Sequence, residues 1–327
     1  MIVRRVRERL ANALDRRFSQ LESRIDALQV SLNEQHEQRA EAERVLQTSI
    51  DALEDSVNGE LRGMIRAIAT EESRNRRALY ALRERPDYRL AFTESRPLVS
   101  ICIPTATGRT ELLIQRALPS ALAQTYENIE VVVVGDAVPA ETASAIEGLQ
   151  DDRLRFVNLT NRVAHPDPHR QWLTAAVMPR NEAHRQARGL WVADLDDDDA
   201  LTPDAVEALL DSARSRDLEV TYGMARQHDP HGESTIIGAF PPKPLEPDWR
   251  EKGMLWQPWQ GAASVGSIFH GGLRFFAREH IAAVLGIPGD FYRLERMVRA
   301  GVRFGMLEQV IYDYYPSKLW DESSRDS

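Results

Sequence analysis

The 327-residue sequence predicts an α/β protein: a Rossmann-like, mostly parallel sheet with helices on both faces, preceded by a long α-helical coiled coil. Two observations carry that prediction. Up to about residue 85, apolar side chains recur at alternating steps of four and three, the seam of a coiled coil. From residue 98, short and nearly continuous apolar runs alternate with helix-length amphipathic ones, as they do where parallel strands are joined by crossover helices.

The seam runs through Leu14, Phe18, Leu21, Ile25, Leu28 and Leu32, resumes at Ala42 and Leu46, and after one extra four-residue step continues as Ile50, Leu53, Val57, Leu61, Met64 and Ile68. Gln35 and Arg39 fill the two seam positions between, so about eight heptads carry one polar interruption and one stutter. No proline precedes Pro86. A helix polar on most of its faces has no core of its own, so residues 1–85 read as a helix that self-associates; folding back on the rest of the chain is the alternative. At its tip, six arginines within residues 1–17 face only Glu8 and Asp15, with Ile2, Val3, Val6 and Leu10 among them. That composition makes residues 1–17 a candidate for peripheral contact with an anionic membrane surface.

"ERPDYRLAFTESRP" reads as a linker over residues 86–97, and residues 98–316 as the catalytic-type domain. In it, "LVSICIPT" is a buried strand, "ELLIQRALPSALAQ" a helix, "IEVVVVGD" a strand, "PAETASAIEGL" a helix, "LRFVNL" a strand, "AHRQARG" a helix and "LWVADL" a strand. "AVEALLDSAR" follows as a helix, with Thr202 as its N-cap and Pro203 at its first position. Residues 317–327 read as a flexible tail.

Charge and cysteine usage narrow the function. Residues 1–96 hold 18 arginines against 17 acids, so the net charge of −9 divides into +1 there and −10 in the remainder. An acidic domain argues against a nucleic-acid groove and fits a site for divalent cations. The single cysteine, Cys102, lies inside an apolar strand, which leaves no intrachain disulfide or thiolate cluster and makes it a core residue. No apolar run approaches the roughly 20 residues of a membrane span, and the start lacks the apolar stretch of a signal peptide. A cytoplasmic protein is expected, with peripheral contact at the inner face of the membrane as an extension.

Polar residues cluster after three strands: Pro104 and Thr105 with Arg109 nearby, Gly135 and Asp136, and the run from Asp194 through Asp196, Asp197, Asp198 and Asp199. Adjacent carboxylates cost on the order of 1 kcal/mol per pair even when well screened, so something should neutralise them. Neither GxGxxG nor GxxxxGK[ST] follows the first strand, which removes the dinucleotide and P-loop readings. An EF-hand reading fails because Asp199 stands where the loop needs glycine. A carboxylate pair that holds Mn²⁺ or Mg²⁺ against a diphosphate fits best.

The stretch "PLVSICIPTATGRTELLIQRALPSALAQTYENIEVVVVGD", followed by "PRNEAHRQARGLWVADLDDDDALTPDAVEAL", closely resembles the family 2 glycosyltransferases of GT-A fold. The likeness is close over residues 97–215 and looser over 260–316. It implies a metal-dependent, inverting transfer from a nucleotide-diphosphate sugar, with UDP as the default nucleotide, to a glycan, lipid-linked or protein acceptor. It further implies that Asp136 binds base and ribose with Pro104, Thr105 and Arg109 alongside, and that Arg180 helps hold the nucleotide. Asp196 and Asp198 match the DxD pair: Asp198 as metal ligand, Asp196 facing ribose or metal, with Asp199 bracing the loop and Asp197 dispensable. The family's Glu-Asp pair is here Gly289-Asp290, which makes Asp290 the candidate base, with an N-cap role as its bland alternative. His270, before two glycines, is an additional candidate near the metal, and Trp249, Trp256 and Trp259 are candidate acceptor platforms. Where the family continues with a Ser- and Gly-containing loop after the first aspartate, this chain has "DAVPAET", which puts nucleotide identity in doubt. Two rivals stand beside this reading: a GT-A nucleotidyltransferase, disfavoured by the lysine-free "PTATGRTE", and a degenerate scaffold acting through its coiled coil.

Overall fold

The computed structural model describes residues 2–162, 176–229, 232–237, 267–273 and 289–316. The chain divides into two compact units, Met1–Thr70 and Glu71–Ser327. The first consists of helix α1 (Ile2–Arg83) as far as the boundary. Along it the expected seam residues from Leu21 to Leu61 are solvent-facing in the single chain, with Leu28 and Leu53 both 69% exposed. Among the described residues no helix is long and apolar enough to cross a membrane.

The second unit begins inside α1. Leu79 and Leu82 are core residues, and so are Tyr88, Ala91 and Phe92 from the stretch expected to be a linker. That stretch forms the short helix α2 (Leu90–Thr93), Phe92 sets its ring edge-on to Trp191, and Trp191 donates its indole N–H to the Ala91 carbonyl at 2.8 Å. Two prolines signal a chain turn, but the Tyr and Phe between them have enough apolar surface to be drawn into the core, while Leu90 stays exposed.

Strand β1 (Val99–Thr105) and β2 (Ile129–Gly135) are buried over their whole length, as the unbroken apolar runs require for strands covered on both faces. Between them lies α3 (110–122), whose middle turn Leu113–Ala117 is widened to π geometry. Pro119 follows; it has no N–H to give the carbonyl four residues back, and its ring crowds that carbonyl. Helix α4 (Ala140–Glu147) leads to β3 (Leu154–Asn158), and α5 (Val177–Gln186) to β4 (Trp191–Asp194). Gly189 sits where a Cβ would meet the Trp191 carbonyl at 2.5 Å and the Ser100 nitrogen at 2.7 Å, so only glycine lets the chain enter β4 so close to β1.

Beyond β5 (Ala200–Leu201) come α6 (Ala205–Ser215), β6 (Val220–His228), β7 (Ser234–Ile237), β8 (Ser267–His270), α7 (Gly289–Ala300) and β9 (Phe304–Tyr314). Helix α6 starts two residues later than predicted: Thr202 is tied to the β9 carbonyl of Ile311, so Asp204 takes the N-cap position.

The sheet order is β3-β2-β1-β4-β8-β6-β9-β5, with β7 against β6. Only the β3-β2-β1-β4 half is wholly parallel; β8 runs antiparallel to both β4 and β6. The mostly parallel sheet is therefore a mixed one in its second half, where β6 turns into β7 through a short loop that permits only antiparallel pairing. For the site the first half decides. The chain steps from β1 outward to β2 and β3, then returns to β4 on the other side of β1, and the crevice at such a switch point is where open α/β sheets bind ligands.

Candidate functional site

Parallel pairing brings the carboxyl ends of β1, β2 and β4 to one edge of the sheet. This places Thr105, Asp136 and the run from Asp194 to Asp199 together there, as the sequence predicts. The Asp136 N–H donates to the Thr105 carbonyl at 2.8 Å, which locks the first two strand ends to each other. Burial raises the Asp136 carboxyl above its ordinary range while Arg162, 3.4 Å from Oδ2, pulls the other way; the buried Oδ1 has no hydrogen-bond partner among the described residues.

The four consecutive aspartates solve their repulsion in two ways. Asp196 pairs with Arg180, and Asp198 with Arg109 at 2.5 Å, so these two face cations. Asp197 and Asp199 are turned inward instead. Asp197 accepts the Thr105 hydroxyl at 2.7 Å and the Ala106 N–H at 3.4 Å, and burial pushes its carboxyl up to about 7. Asp199, 1% exposed, accepts the Tyr315 N–H at 2.9 Å through Oδ1. Burial, then the charges of Asp196 and Asp198, raise its carboxyl well above the usual range. Asp197, expected to be the dispensable member, thus ties the acidic loop to the end of β1.

Arg116, on the widened turn of α3, donates to the Asp198 carbonyl at 2.5 Å and lays its guanidinium 3.7 Å from the centre of the Tyr315 ring. His228 stacks on the other side of that ring, 4.4 Å between centroids, and bonds Asp313. The loop is held from both sides, through its own backbone and through the residue after β9.

Sequence reasoning missed the most buried ion pair at this edge. Asp194, at the end of β4 and 0% exposed, takes Arg293 at 2.5 Å and His184 Nε2 at 2.6 Å, and the Arg293 guanidinium also contacts the His184 ring. Burial alone would raise Asp194, but His184 and Arg293 hold it well below the carboxylate range. Burial likewise keeps His184 below its ordinary 6.5, so it is neutral in the folded protein at neutral pH. A signal was present: Arg180 and His184 lie four residues apart on one face of α5 and meet Asp196 and Asp194.

An acid-stability prediction follows from His184. Below about pH 6.5 the unfolded chain's histidine takes up a proton that His184 refuses in the fold, so stability falls as pH drops through that window. Melting temperature between pH 7.5 and 5.5 should decline more in the wild-type chain than in His184→Asn; equal declines would remove His184 as the cause.

His270 does not belong to this site. It pairs with Trp191 at the first residue of β4, at the opposite end of that strand from the aspartates. Its ring stacks on Tyr88, its Nδ1 accepts the Gly272 N–H at 3.0 Å, and Nε2 therefore donates to the Tyr88 carbonyl at 3.0 Å. A histidine so placed is a core residue. Asp290 falls within the first turn of α7, but its side chain lies outside the described residues, as do Trp249, Trp256 and Trp259. No three His, Cys, Asp or Glu side chains converge as a metal cluster among the described residues.

The family model described as Glycosyl transferase family 2 matches residues 100–279. Among curated proteins, the chain is 31% identical over 157 residues to a chondroitin synthase of Escherichia coli, covering 47% of this chain and 21% of that one. It is 29% identical over 119 residues to the GalNAc(5)-diNAcBac-PP-undecaprenol beta-1,3-glucosyltransferase of Campylobacter jejuni, covering 36% and 35%. The chain thus spans well under half the length of either relative. Among solved structures, S. aureus TarS 1–349 in complex with UDP-GlcNAc aligns with a TM-score of 0.49 at 19% identity, over 67% of this chain and 59% of that one.

Proposed function

The chain belongs to glycosyl transferase family 2, and on that premise we propose that it transfers a sugar from a nucleotide-diphosphate donor, UDP-linked by default, to an acceptor hydroxyl with inversion. The observation that carries the proposal is the convergence of Asp136, Arg180–Asp196, Arg109–Asp198 and Thr105–Asp197 at the crevice between β1 and β4. Asp136 with Pro104 and Thr105 would take the base and ribose, Arg180 would help hold the nucleotide, and Asp196 would face the ribose or the metal.

Mg²⁺ and Mn²⁺ need only one or two protein carboxylates when substrate phosphates complete their shell, so Asp198 and Asp196 suffice as protein ligands. When bound, such a cation offsets charge on the leaving diphosphate. Arg109, which faces Asp198 without donor, is placed to turn to a phosphate oxygen, where a guanidinium binds in a bidentate manner. Asp290 accepts the proton of the acceptor hydroxyl as its oxygen bonds the anomeric carbon; the electron pair of the broken glycosyl–phosphate bond leaves with the nucleoside diphosphate.

The acceptor is a glycan, a lipid-linked saccharide or a protein, and Trp249, Trp256 and Trp259 would supply stacking faces for it. The exposed seam of α1 supports pairing with a second copy of the chain, and residues 1–17 supply basic and apolar side chains for an anionic membrane surface.

Release of nucleoside diphosphate from a panel of sugar nucleotides, with and without Mn²⁺, tests the reading. Release of UDP from at least one UDP-sugar, dependent on Mn²⁺ or Mg²⁺, is expected. No release from any donor would leave the scaffold reading, and pyrophosphate formed from a nucleoside triphosphate and a sugar phosphate would establish the nucleotidyltransferase.

A further inference from the structure

We propose that Glu71 is a positioning residue that, through Arg296 and Tyr292, fixes helix α7 and with it Asp290; the inference rests on the reading of Asp290 as the base. Glu71 lies in α1 at the start of the second unit, outside the residues the family model matches. Its carboxylate meets Arg296 at 3.0 Å, with the two side chains 11% and 6% exposed, and accepts the Tyr292 hydroxyl at 3.2 Å. One residue on, Glu72 takes Arg299 at 2.9 Å. Arg76 and Arg83 donate to the carbonyls of Arg299 and Gly301 at the carboxyl end of α7.

Tyr292, Arg296 and Arg299 are spaced four and three apart, so they form one face of α7, and α1 holds that whole face. Arg293, on another flank of the same helix, is the residue that reaches Asp194 and His184 at the end of β4. Helix α7 is therefore clamped between α1 and the sheet edge that bears the aspartates. Asp290 precedes Arg293 by three residues, about 4.5 Å along the helix axis at 1.5 Å per residue. A rigid shift of α7 moves Asp290 with it, and a displacement of about 1 Å at a reacting group can cost on the order of a hundredfold in rate. Buried ion pairs add little net stability compared with apolar packing, and fixing one register among several is a use they serve well. Here the register is that of the helix that carries the base.

The experiment uses the full chain with Glu71→Gln, which keeps an oxygen to accept from Tyr292 and removes the charge that faces Arg296. The expected result is a drop of tenfold or more in kcat for transfer, with the KM for sugar nucleotide and the Kd for nucleoside diphosphate within twofold of wild type. The exchange Glu71→Arg with Arg296→Glu should recover part of the lost kcat. Asp290→Asn is measured in parallel. Wild-type kcat in Glu71→Gln beside an inactive Asp290→Asn would overturn the positioning role and leave the base in place. Normal turnover in Asp290→Asn would remove the base and this proposal together. Parallel loss of kcat and nucleotide binding in Glu71→Gln, unrecovered by the exchange, would reduce Glu71 to a folding residue and overturn the proposal.

Discussion

Asp198→Ala is expected to lower kcat/KM for sugar transfer about a thousandfold and to abolish the response to added Mn²⁺. A cation held at the donor diphosphate supplies several kcal/mol of charge stabilisation, and each 1.36 kcal/mol is a factor of ten. The same substitution removes the partner of Arg109, so nucleotide binding without metal should change less than binding with it. Asp197→Ala should differ in kind. Its carboxylate accepts from Thr105 and Ala106, and deleting it leaves a buried hydroxyl without that acceptor, a cost of about 1–3 kcal/mol. Part of that cost is returned at neutral pH and above, because an acid raised to about 7 is itself costly to ionise in the fold. The Asp197 variant should therefore lose melting temperature while it retains Mn²⁺-dependent nucleotide binding. Calorimetric titration of UDP with and without Mn²⁺ on both variants reads the contrast. Equal losses of metal-dependent binding would return the run to an undifferentiated acidic loop.

The sequence disclosed what is local and periodic. The unbroken apolar runs of β1 and β2, the helices between them and the seven-residue repeat of α1 were all legible, because strands buried on both faces and amphipathic helices write their period directly into the chain. So was the edge of the sheet at which Thr105, Asp136 and the aspartates gather, since parallel strands put every carboxyl end on one side. What it withheld depends on partners distant in sequence. Asp194 looks like the last residue of a strand, and only packing brings it His184 and Arg293, the second of these 99 residues away. His270 misled for the same reason. Two glycines after it suggested a loop near phosphate, whereas strand register set it beside Trp191 in the core. The end of α1 shows a third kind of gap: the apolar seam ends at Ile68 and Glu71 and Asn75 hold the next seam positions, but a polar seam residue does not by itself distinguish an interruption of the stalk from the start of a packed domain.

Arg293→Met is expected to destabilise the fold by about 3–5 kcal/mol, the cost of leaving one member of a buried ion pair uncompensated. Asp194 is wholly buried, and without the guanidinium its charge keeps the His184 hydrogen bond and the more distant charge of Arg180. The pH dependence should then change sign. In the wild-type protein His184 is held neutral, so stability declines as pH falls below about 6.5. In the variant, Arg293 no longer opposes the proton, and the unpaired Asp194 carboxylate draws one onto the ring. A histidine whose folded pKa is raised contributes stability that is complete below its unfolded value and is lost as pH rises through the folded one. The stability difference between wild type and Arg293→Met should therefore be larger at pH 8 than at pH 6. Urea unfolding of both proteins at the two pH values measures it. A deficit below about 1 kcal/mol, in the range of an ordinary surface pair, would show that Asp194 is solvated or otherwise paired. A deficit that does not shrink at pH 6 would show that His184 plays no part in compensating it. Because Arg293 sits on α7 three residues after Asp290, the same variant should also lose transfer activity under conditions where it is still folded. That loss links the buried triad at the end of β4 to the placement of the base.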